Sequence, residues 1–229
     1  MTTTKRDFVT ELLNEDVRDW HDHPFHVRLH EGGLDREQLR VWVANRYYYQ
    51  KCIPLKDAAI LANCPDPEVR RRWAPRLTAQ DGDRPGTGEL VEWRALAVAI
   101  GVSNDDLARD KLVVPGVRFA ADAYVSMARE RSWIEGVAAS LTQARAAGVM
   151  SVRVASFERW YAWVDRGAVA HFEARKSRLA READEARALL REHCTTKAMQ
   201  DRARAALAFK SQVLWSMLDA LQHAHPGME

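Results

Sequence analysis

The run LDREQLRVWVANRYYYQKCIPLKDAAILAN, residues Leu34–Asn63, decides the fold class. Its apolar residues Leu39, Trp42 and Val43 share one face of a helix, because they lie three and four positions apart. Further apolar residues recur at this spacing toward the end of the run. Pro54 lies inside the pattern and lacks a backbone donor, so it predicts a kink or a break. The run therefore predicts a long amphipathic helix interrupted near Pro54.

Helical periodicity dominates the rest of the chain as well, and the sequence shows no convincing alternating strand pattern and no Asn-Gly hairpin. Asp66 followed by Pro67, and Ser103 with Asp106 three residues later, are signals of helix starts. Glycine and proline clusters such as 81–88 and Gly148 separate the runs but are too short to be domain linkers. Further helical runs cover residues 117–146, 152–164, 169–190 and 198–224. We therefore expect residues 1–229 to form one all-α domain, a compact bundle of about seven to eight helices.

The composition excludes several classes of protein. The 229 residues carry a formal net charge of +2, and acidic residues interrupt the basic ones, so we expect no nucleic-acid partner and no membrane partner. Met1–Asp7 leads into an amphipathic segment, which does not resemble a signal peptide. The three cysteines, Cys52, Cys64 and Cys194, show no CxxC spacing and predict buried thiols in a reducing cytoplasm.

Polar residues interrupt the apolar faces of several predicted helices. Lys210 lies three positions before Val213 on the face of the last helix, and Arg175 lies four positions before Leu179 on the helix before it. A buried unpaired charge costs several kcal/mol. One interpretation is that the aliphatic stems cover the core while the charged ends reach water. The other is that these charges surround a cavity that binds an anion.

The helix predicted from residues 34–63 has the same feature, and this favours the cavity. Arg46, Tyr49 and Gln50 interrupt its apolar face, and Lys56 and Asp57 follow one turn later. Three helices that each direct polar groups inward are better explained by one shared anion site than by three separate exceptions. Periodicity alone does not identify the anion.

Several long blocks resemble the pyrroloquinoline-quinone synthase family, from about Asp22 to Leu221. They are VANRYYYQ (43–50), IPLKDAAI (53–60), ANCPD (62–66), VPGVRFA (114–120), DAY (122–124) and LWSMLDA (214–220). The resemblance implies a heme-oxygenase-like helical bundle that commonly forms homodimers. It also implies the last step of pyrroloquinoline quinone assembly, in which a ring closes and dioxygen removes electrons from a polycarboxylated substrate. By this resemblance the enzyme needs no metal and no organic cofactor, and dioxygen is its co-substrate.

The resemblance also implies site residues. An anionic aromatic substrate would be held by cations, because arginine binds carboxylates in a bidentate manner and lysine supplies a point charge. The positions expected to bind substrate are Arg46, Gln50, Lys56, Arg76, Gln80, Met150 and Arg153, and those expected to take part in catalysis are Tyr124, His171, Arg175 and Lys210.

The chain departs from the family pattern where proton transfer is expected. The family has histidine at Gln80, glutamate near Gln143, histidine at Met150, tyrosine at His171 and a Tyr-His pair at Asp19 and Trp20. A glutamine cannot serve as a general base near neutral pH. His171 lies one turn from Arg175, and the positive charge favours its neutral form, so it is our candidate for the remaining base. The alternative is that His171 is a packed core histidine.

Three functions follow from these observations. The first is a cofactor-free oxidase or oxygenase that acts on pyrroloquinoline quinone precursors or on a related quinone or amino-acid-derived acid. The second is a slow or non-catalytic binding protein that kept the pocket and lost the chemistry. Dioxygen uptake on turnover would distinguish the two.

The third function is a metal-dependent oxidase, which the sequence favours least. Such sites need histidine and carboxylate ligands on facing helices. Glu89 and Glu135 could contribute ligands, but the chain has no Glu-x-x-His pair, and Arg175 would repel a divalent ion. His21, His23 and His26 resemble a metal cluster, yet Pro24 interrupts them. We therefore expect no metal ligands.

Overall fold

The computed structural model describes residues 7–15 and 19–224, and the side chains of Arg145, Ala147 and His171 lie outside this description. The described residues form helices and connecting loops, without a β-strand. The α-helices in chain order are α1 Phe8–Leu13, α2 Pro24–His30, α3 Arg36–Asn63, α4 Pro67–Trp73, α5 Pro75–Asp81, α6 Glu89–Ala99, α7 Asn104–Ala108, α8 Pro115–Glu130, α9 Trp133–Ala139, α10 Gln143–Trp160, α11 Arg166–Val169, α12 His171–His193 and α13 Lys197–His223. Short 3-10 turns cover Trp20–Asp22 and Ser140–Thr142. The all-α prediction is confirmed, although the chain forms more helices than the predicted seven to eight.

Helix α3 runs through Pro54 without the predicted break. It begins at a capping box in which Asp35 and Gln38 satisfy each other's backbone donors, and it continues for 28 residues. The proline removes one intrahelical hydrogen bond, but Ile53 before it and Ile60 after it are both buried. Burial on both sides of Pro54 outweighs the lost bond, so the helix continues.

The predicted run 117–146 is divided where no glycine or proline stands. Helix α8 ends at Glu130, and Ser132 and Glu135 form a capping box that starts α9. The S-x-x-E signal was therefore present in the sequence and outweighed the continuous helical pattern. Gly148, which we predicted to be a breaker, lies inside α10. Because a side chain there would meet nothing within 4 Å, no close contact requires this glycine.

Helix α3 is the centre of the packing. It lies against α6 and α8, while α13 packs on α8 and α9, and α10 packs on α12. The predicted thiols Cys52, Cys64 and Cys194 are free and buried. No helix in the described part of the chain is long and apolar enough to cross a membrane. The packing leaves a space between α3, α5, α10, α12 and α13, and some of the polar residues predicted on apolar faces line it.

Candidate active site

A cavity of about 40 Å³ lies where α3, α5, α10, α12 and α13 meet. Helix α3 supplies its most polar wall, since Arg46, Tyr49 and Gln50 follow one another on the inward face. The lining residues are Trp20, Arg46, Tyr49, Gln50, Ile53, Gln80, Thr142, Gln143, Ala146, Met150, Arg175, Leu179 and Leu214. We call this space the main cavity. It brings together Arg46, Gln50, Gln80, Met150 and Arg175 from the predicted site.

A second cavity of about 30 Å³ adjoins the main cavity and shares Trp20, Arg46 and Leu214 with it. Its polar wall includes Arg153 and His26, whose Nη2 and Nε2 atoms are 3.0 Å apart. Burial, and then the nearby Arg46 and Arg175 guanidiniums, hold the pKa of Arg153 well below its usual range. An anion bound between these cations would relieve their mutual repulsion.

The cavities contain buried donors without partners among the described residues. They are Nε of Arg46, Nε2 of Gln50, Nε and Nη1 of Arg153, and Nε and Nη1 of Arg175. A buried donor that stays unsatisfied costs about 1–3 kcal/mol, and more if it is charged. A ligand rich in acceptor oxygens would satisfy these donors. Gln80 Oε1 is the corresponding unsatisfied acceptor.

Glu89 organises one end of the main cavity. Its carboxylate is 1% exposed and binds the guanidiniums of Arg175 and Arg178. It also accepts hydrogen bonds from Gln80 Nε2 at 2.9 Å and from Trp93 Nε1 at 3.3 Å. Glu89 thus fixes the orientation of Arg175 and Gln80 and neutralises one positive charge beside the cavity.

The loop 82–88 places Gln80 and Glu89 side by side. Gly82 and Gly88 both have positive φ, at 87° and 96°. A Cβ at Gly88 would stand 2.4 Å from the Gly82 nitrogen, and one at Gly82 would stand 2.3 Å from the Thr87 carbonyl oxygen. Only glycine allows this close return of the chain, so α5 ends and α6 begins next to each other.

Lys210 lies behind the wall of the main cavity. Its ammonium is buried, and Nζ is 2.7 Å from the Tyr49 hydroxyl and 3.9 Å from the ring centre of Tyr124. Burial, and then the positive charges of Arg46 and Lys56, hold the pKa of Lys210 well below its usual range. Of the predicted catalytic residues, Lys210 and Tyr124 are therefore adjacent to the cavity wall and do not form its surface.

Lys56 and Arg76 have partners of their own. The Lys56 ammonium binds Asp57 Oδ1 at 2.6 Å and Ser140 Oγ at 2.9 Å, and both charged residues are 1% exposed. Arg76 donates to Gln143 Oε1 at 2.7 Å and stacks on the Trp73 ring at 3.8 Å. Neither cation lines the main cavity. Arg76 instead supports the Gln143 wall and faces an outer cleft.

Of the two remaining predicted residues, the structure describes the side chain of Met150 but not that of His171. Met150 lines the main cavity and is buried, so it presents a polarizable apolar surface there. The side chain of His171 lies outside the described part of the structure, so its predicted role as a base stays a prediction. Helix α12 begins at this residue, one turn before Arg175.

The carboxylates considered as metal ligands have other partners. Glu89 binds two guanidiniums, and Glu135 accepts hydrogen bonds from the Ser132 amide and hydroxyl. His23 lies 3.0 Å from Asp219 and accepts from the Phe25 amide. Among residues 7–15 and 19–224, no group of three histidine, cysteine or carboxylate side chains is arranged to hold a metal ion.

The sequence did not assign roles to Glu89, Tyr49 and Trp20 in this site. Tyr49 interrupts the apolar face of α3 beside Arg46, but this position alone did not indicate its function. Glu89 was considered only as a metal ligand, because its pairing with Arg175 joins residues far apart in the chain. Trp20 was noted only as a departure from the family pattern, yet it borders both cavities.

Known proteins resemble this chain along most of its length. The sequence profile of the TENA/THI-4/PQQC family matches residues 13–220. A pyrroloquinoline-quinone synthase of Pseudomonas putida (strain W619) is 45% identical over 203 residues, which are 89% of this chain and 81% of that protein. One from Acinetobacter baumannii (strain AYE) is 42% identical over 230 aligned positions, which cover 98% of this chain and 91% of that protein.

Solved structures support the fold alone, because their identities are low. A Shewanella denitrificans domain of unknown function with a heme oxygenase-like fold gives a TM-score of 0.74 at 14% identity, with coverage of 94% of this chain and 88% of that one. A TenA homologue from Pseudomonas syringae gives a TM-score of 0.67 at 13% identity, covering 93% and 87%. The predicted heme-oxygenase-like bundle is confirmed.

Proposed function

This chain belongs to the TENA/THI-4/PQQC family, and we propose on that premise that it is an oxidoreductase of the pyrroloquinoline-quinone synthase type. Its substrate is a small anionic aromatic or amino-acid-derived acid with several carboxylates. Dioxygen is the co-substrate and accepts the electrons, and no metal or organic cofactor is needed. The free buried cysteines support a reducing cytoplasmic location.

One observation carries the substrate class. The buried guanidiniums of Arg46, Arg153 and Arg175 all retain donors without partners among the described residues. Their charges converge on two adjoining cavities whose walls also contain apolar residues. Carboxylates would satisfy these donors, while the aromatic body would lie against Leu214 and Ile53.

The chemistry of this chain is expected to be slower than that of its relatives. Gln80 and Met150 replace two histidines of the family pattern at the cavity wall, and neither exchanges protons near neutral pH. Anion affinity depends on the arginines, which are intact. We therefore expect pyrroloquinoline quinone to bind, while ring closure and oxidation run slowly or stop partway. His171 is the residue we expect to carry the remaining proton transfer.

The test combines anaerobic binding with aerobic turnover. Pyrroloquinoline quinone is titrated without dioxygen, and dioxygen uptake is then followed with its ring-open precursor, for wild type, Gln80→His and His171→Tyr. We expect binding by all three and faster turnover by Gln80→His, since general acid–base help is worth about 10²–10⁴-fold in rate. His171→Tyr should lose the residual activity. Absence of binding by wild type would mean that the cavity holds a different ligand.

A second candidate is a binding protein that holds the quinone without converting it. The hydrogen bond from Gln80 to Glu89 favours this candidate, because Gln80 stands where a base is expected and makes a structural contact instead. The same assay separates the two functions, since such a protein would bind the quinone and consume no dioxygen.

We also propose that the protein forms a homodimer. A light-scattering mass equal to that of one chain would contradict this proposal.

A further inference from the structure

A hydrogen bond to Tyr49 connects Lys210 with the main cavity. The lysine is 1% exposed and is absent from the cavity lining, whereas Tyr49 forms part of that lining. The two residues are joined by the 2.7 Å contact between Nζ and the hydroxyl oxygen. Among the described residues, Tyr49 both lines the main cavity and hydrogen-bonds to Lys210, so its hydroxyl can pass a proton between them.

The surroundings of Lys210 favour its neutral amine. No carboxylate of the described residues forms an ion pair with it, in contrast to the buried pair of Lys56 and Asp57. The groups that act on it are the cations Arg46 and Lys56, the Cys52 thiol, and the rings of Tyr49 and Tyr124. A neutral amine keeps a lone pair that can accept a proton.

Tyr124 touches the same lysine but cannot replace Tyr49. It directs its ring face toward Nζ, and its hydroxyl interacts with Ser140, which also binds Lys56. It does not line the main cavity. Burial raises the pKa of Tyr49 well above its usual value, so a free tyrosinate would be costly. This favours simultaneous transfer through the hydroxyl over prior ionisation.

We propose that Tyr49 is a catalytic residue that relays a substrate proton to the Lys210 amine. The Tyr49 oxygen takes the proton from a substrate in the main cavity while its own proton passes to Nζ. The substrate loses one proton, Lys210 becomes an ammonium, and Tyr49 is unchanged. The proposal rests on the proposed oxidase function, and it adds a second base for a different proton from the one assigned to His171.

Tyr49→Phe tests the relay, because it keeps the ring under Arg46 and removes only the hydroxyl. Tyr48→Phe is the matched control, since the Tyr48 hydroxyl donates to Asp122 at 2.7 Å and does not line either cavity. We expect Tyr49→Phe to bind pyrroloquinoline quinone within about twofold of wild type and to oxidise the ring-open precursor about 10²-fold more slowly. Lys210→Met should lose a similar factor, and the double variant no more, because the two residues act as one unit.

A measurement without turnover keeps the relay separate from the proposed substrate. In protein labelled at lysine Nζ, NMR should show Lys210 titrating below the other lysines, and Tyr49→Phe should shift that titration whereas Tyr48→Phe should not. A Lys210 that stays charged across neutral pH, or full turnover by Tyr49→Phe, would overturn the relay. A neutral Lys210 coupled to Tyr49, in a wild type that does not oxidise the precursor, would support the relay and reject the substrate.

Discussion

The substitution Glu89→Gln should lower the stability of the protein and raise its affinity for anions. The substitution keeps the shape and an acceptor oxygen but removes the charge that Arg175 and Arg178 share. Breaking a buried ion pair by neutralising one partner costs about 3–5 kcal/mol, because the other charge stays buried and uncompensated. For a chain of this size each kcal/mol lowers the melting temperature by about 2–4 °C, so we expect a decrease of about 6–20 °C.

The affinity should change in the opposite direction. Without the Glu89 charge, the free donors of Arg175 face the main cavity with a full positive charge, while the glutamine oxygen still accepts from the guanidinium. In a cavity that largely excludes water, one more uncompensated positive charge attracts an anion by more than about 1.4 kcal/mol. Pyrroloquinoline quinone should therefore bind at least about tenfold more tightly. General loosening of the fold would weaken binding, and thus the sign of the change is informative.

The control is the same substitution at a surface ion pair. Glu37 binds Arg40 at 2.5 Å but is 59% exposed, so Glu37→Gln should cost at most about 1 kcal/mol. Calorimetric or circular-dichroism melting, together with fluorescence titration of the quinone, measures both effects. If Glu89→Gln melts within about 2 °C of the Glu37→Gln control, the reasoning about the buried carboxylate is wrong.

Three further outcomes are expected. Asp57→Asn should lower the free energy of unfolding by about 3–5 kcal/mol in urea titrations, because it leaves the Lys56 charge buried without its counter-ion. Burial, and next the positive Arg153, lower the pKa of His30 from 6.5 to about 3, so between these pH values the unfolded chain binds more protons and stability falls as pH falls. His30→Gln should flatten this slope by up to about 1.4 kcal/mol per pH unit in unfolding curves collected from about pH 6.5 to about pH 4, and an unchanged slope would contradict the assignment. Elemental analysis of the purified protein should show no stoichiometric iron or manganese, and activity should survive chelation; loss of activity to a chelator would favour the metal-dependent oxidase.

Local signals in the sequence predicted most of the helices but not all of their ends. Asp66 and Ser103 cap helices as predicted, because an N-cap depends on neighbouring residues alone. Gly148 was predicted to interrupt a helix and lies inside α10. Pro54 was predicted to kink or break a helix and does not break it, because buried residues on both sides hold the helix in the packing. Such packing joins residues that are distant in the chain, so a pattern within one helix does not reveal it.

The same limit applies to the site. Periodicity identified Arg175 and Lys210 as polar residues on apolar faces, since that requires only one helix. It could not show that Glu89, from another helix, neutralises Arg175, or that Lys210 reaches the cavity through Tyr49. The partner of a buried charge is a second residue, and in both of these examples that residue lies on a different helix.

The counter-ions explain how the chain holds so many buried cations. Arg175 has Glu89, Lys56 has Asp57, and each pair is formed without a ligand. Arg46 and Arg153 have no carboxylate partner in the described chain, and burial above all lowers the pKa of Arg46 to about 10. The paired cations are therefore compensated without a ligand, while the unpaired ones place the cost of burial on the ligand-free state. A polycarboxylate that binds them removes this cost, and for that reason binding can persist where Gln80 and Met150 have replaced the groups that move protons.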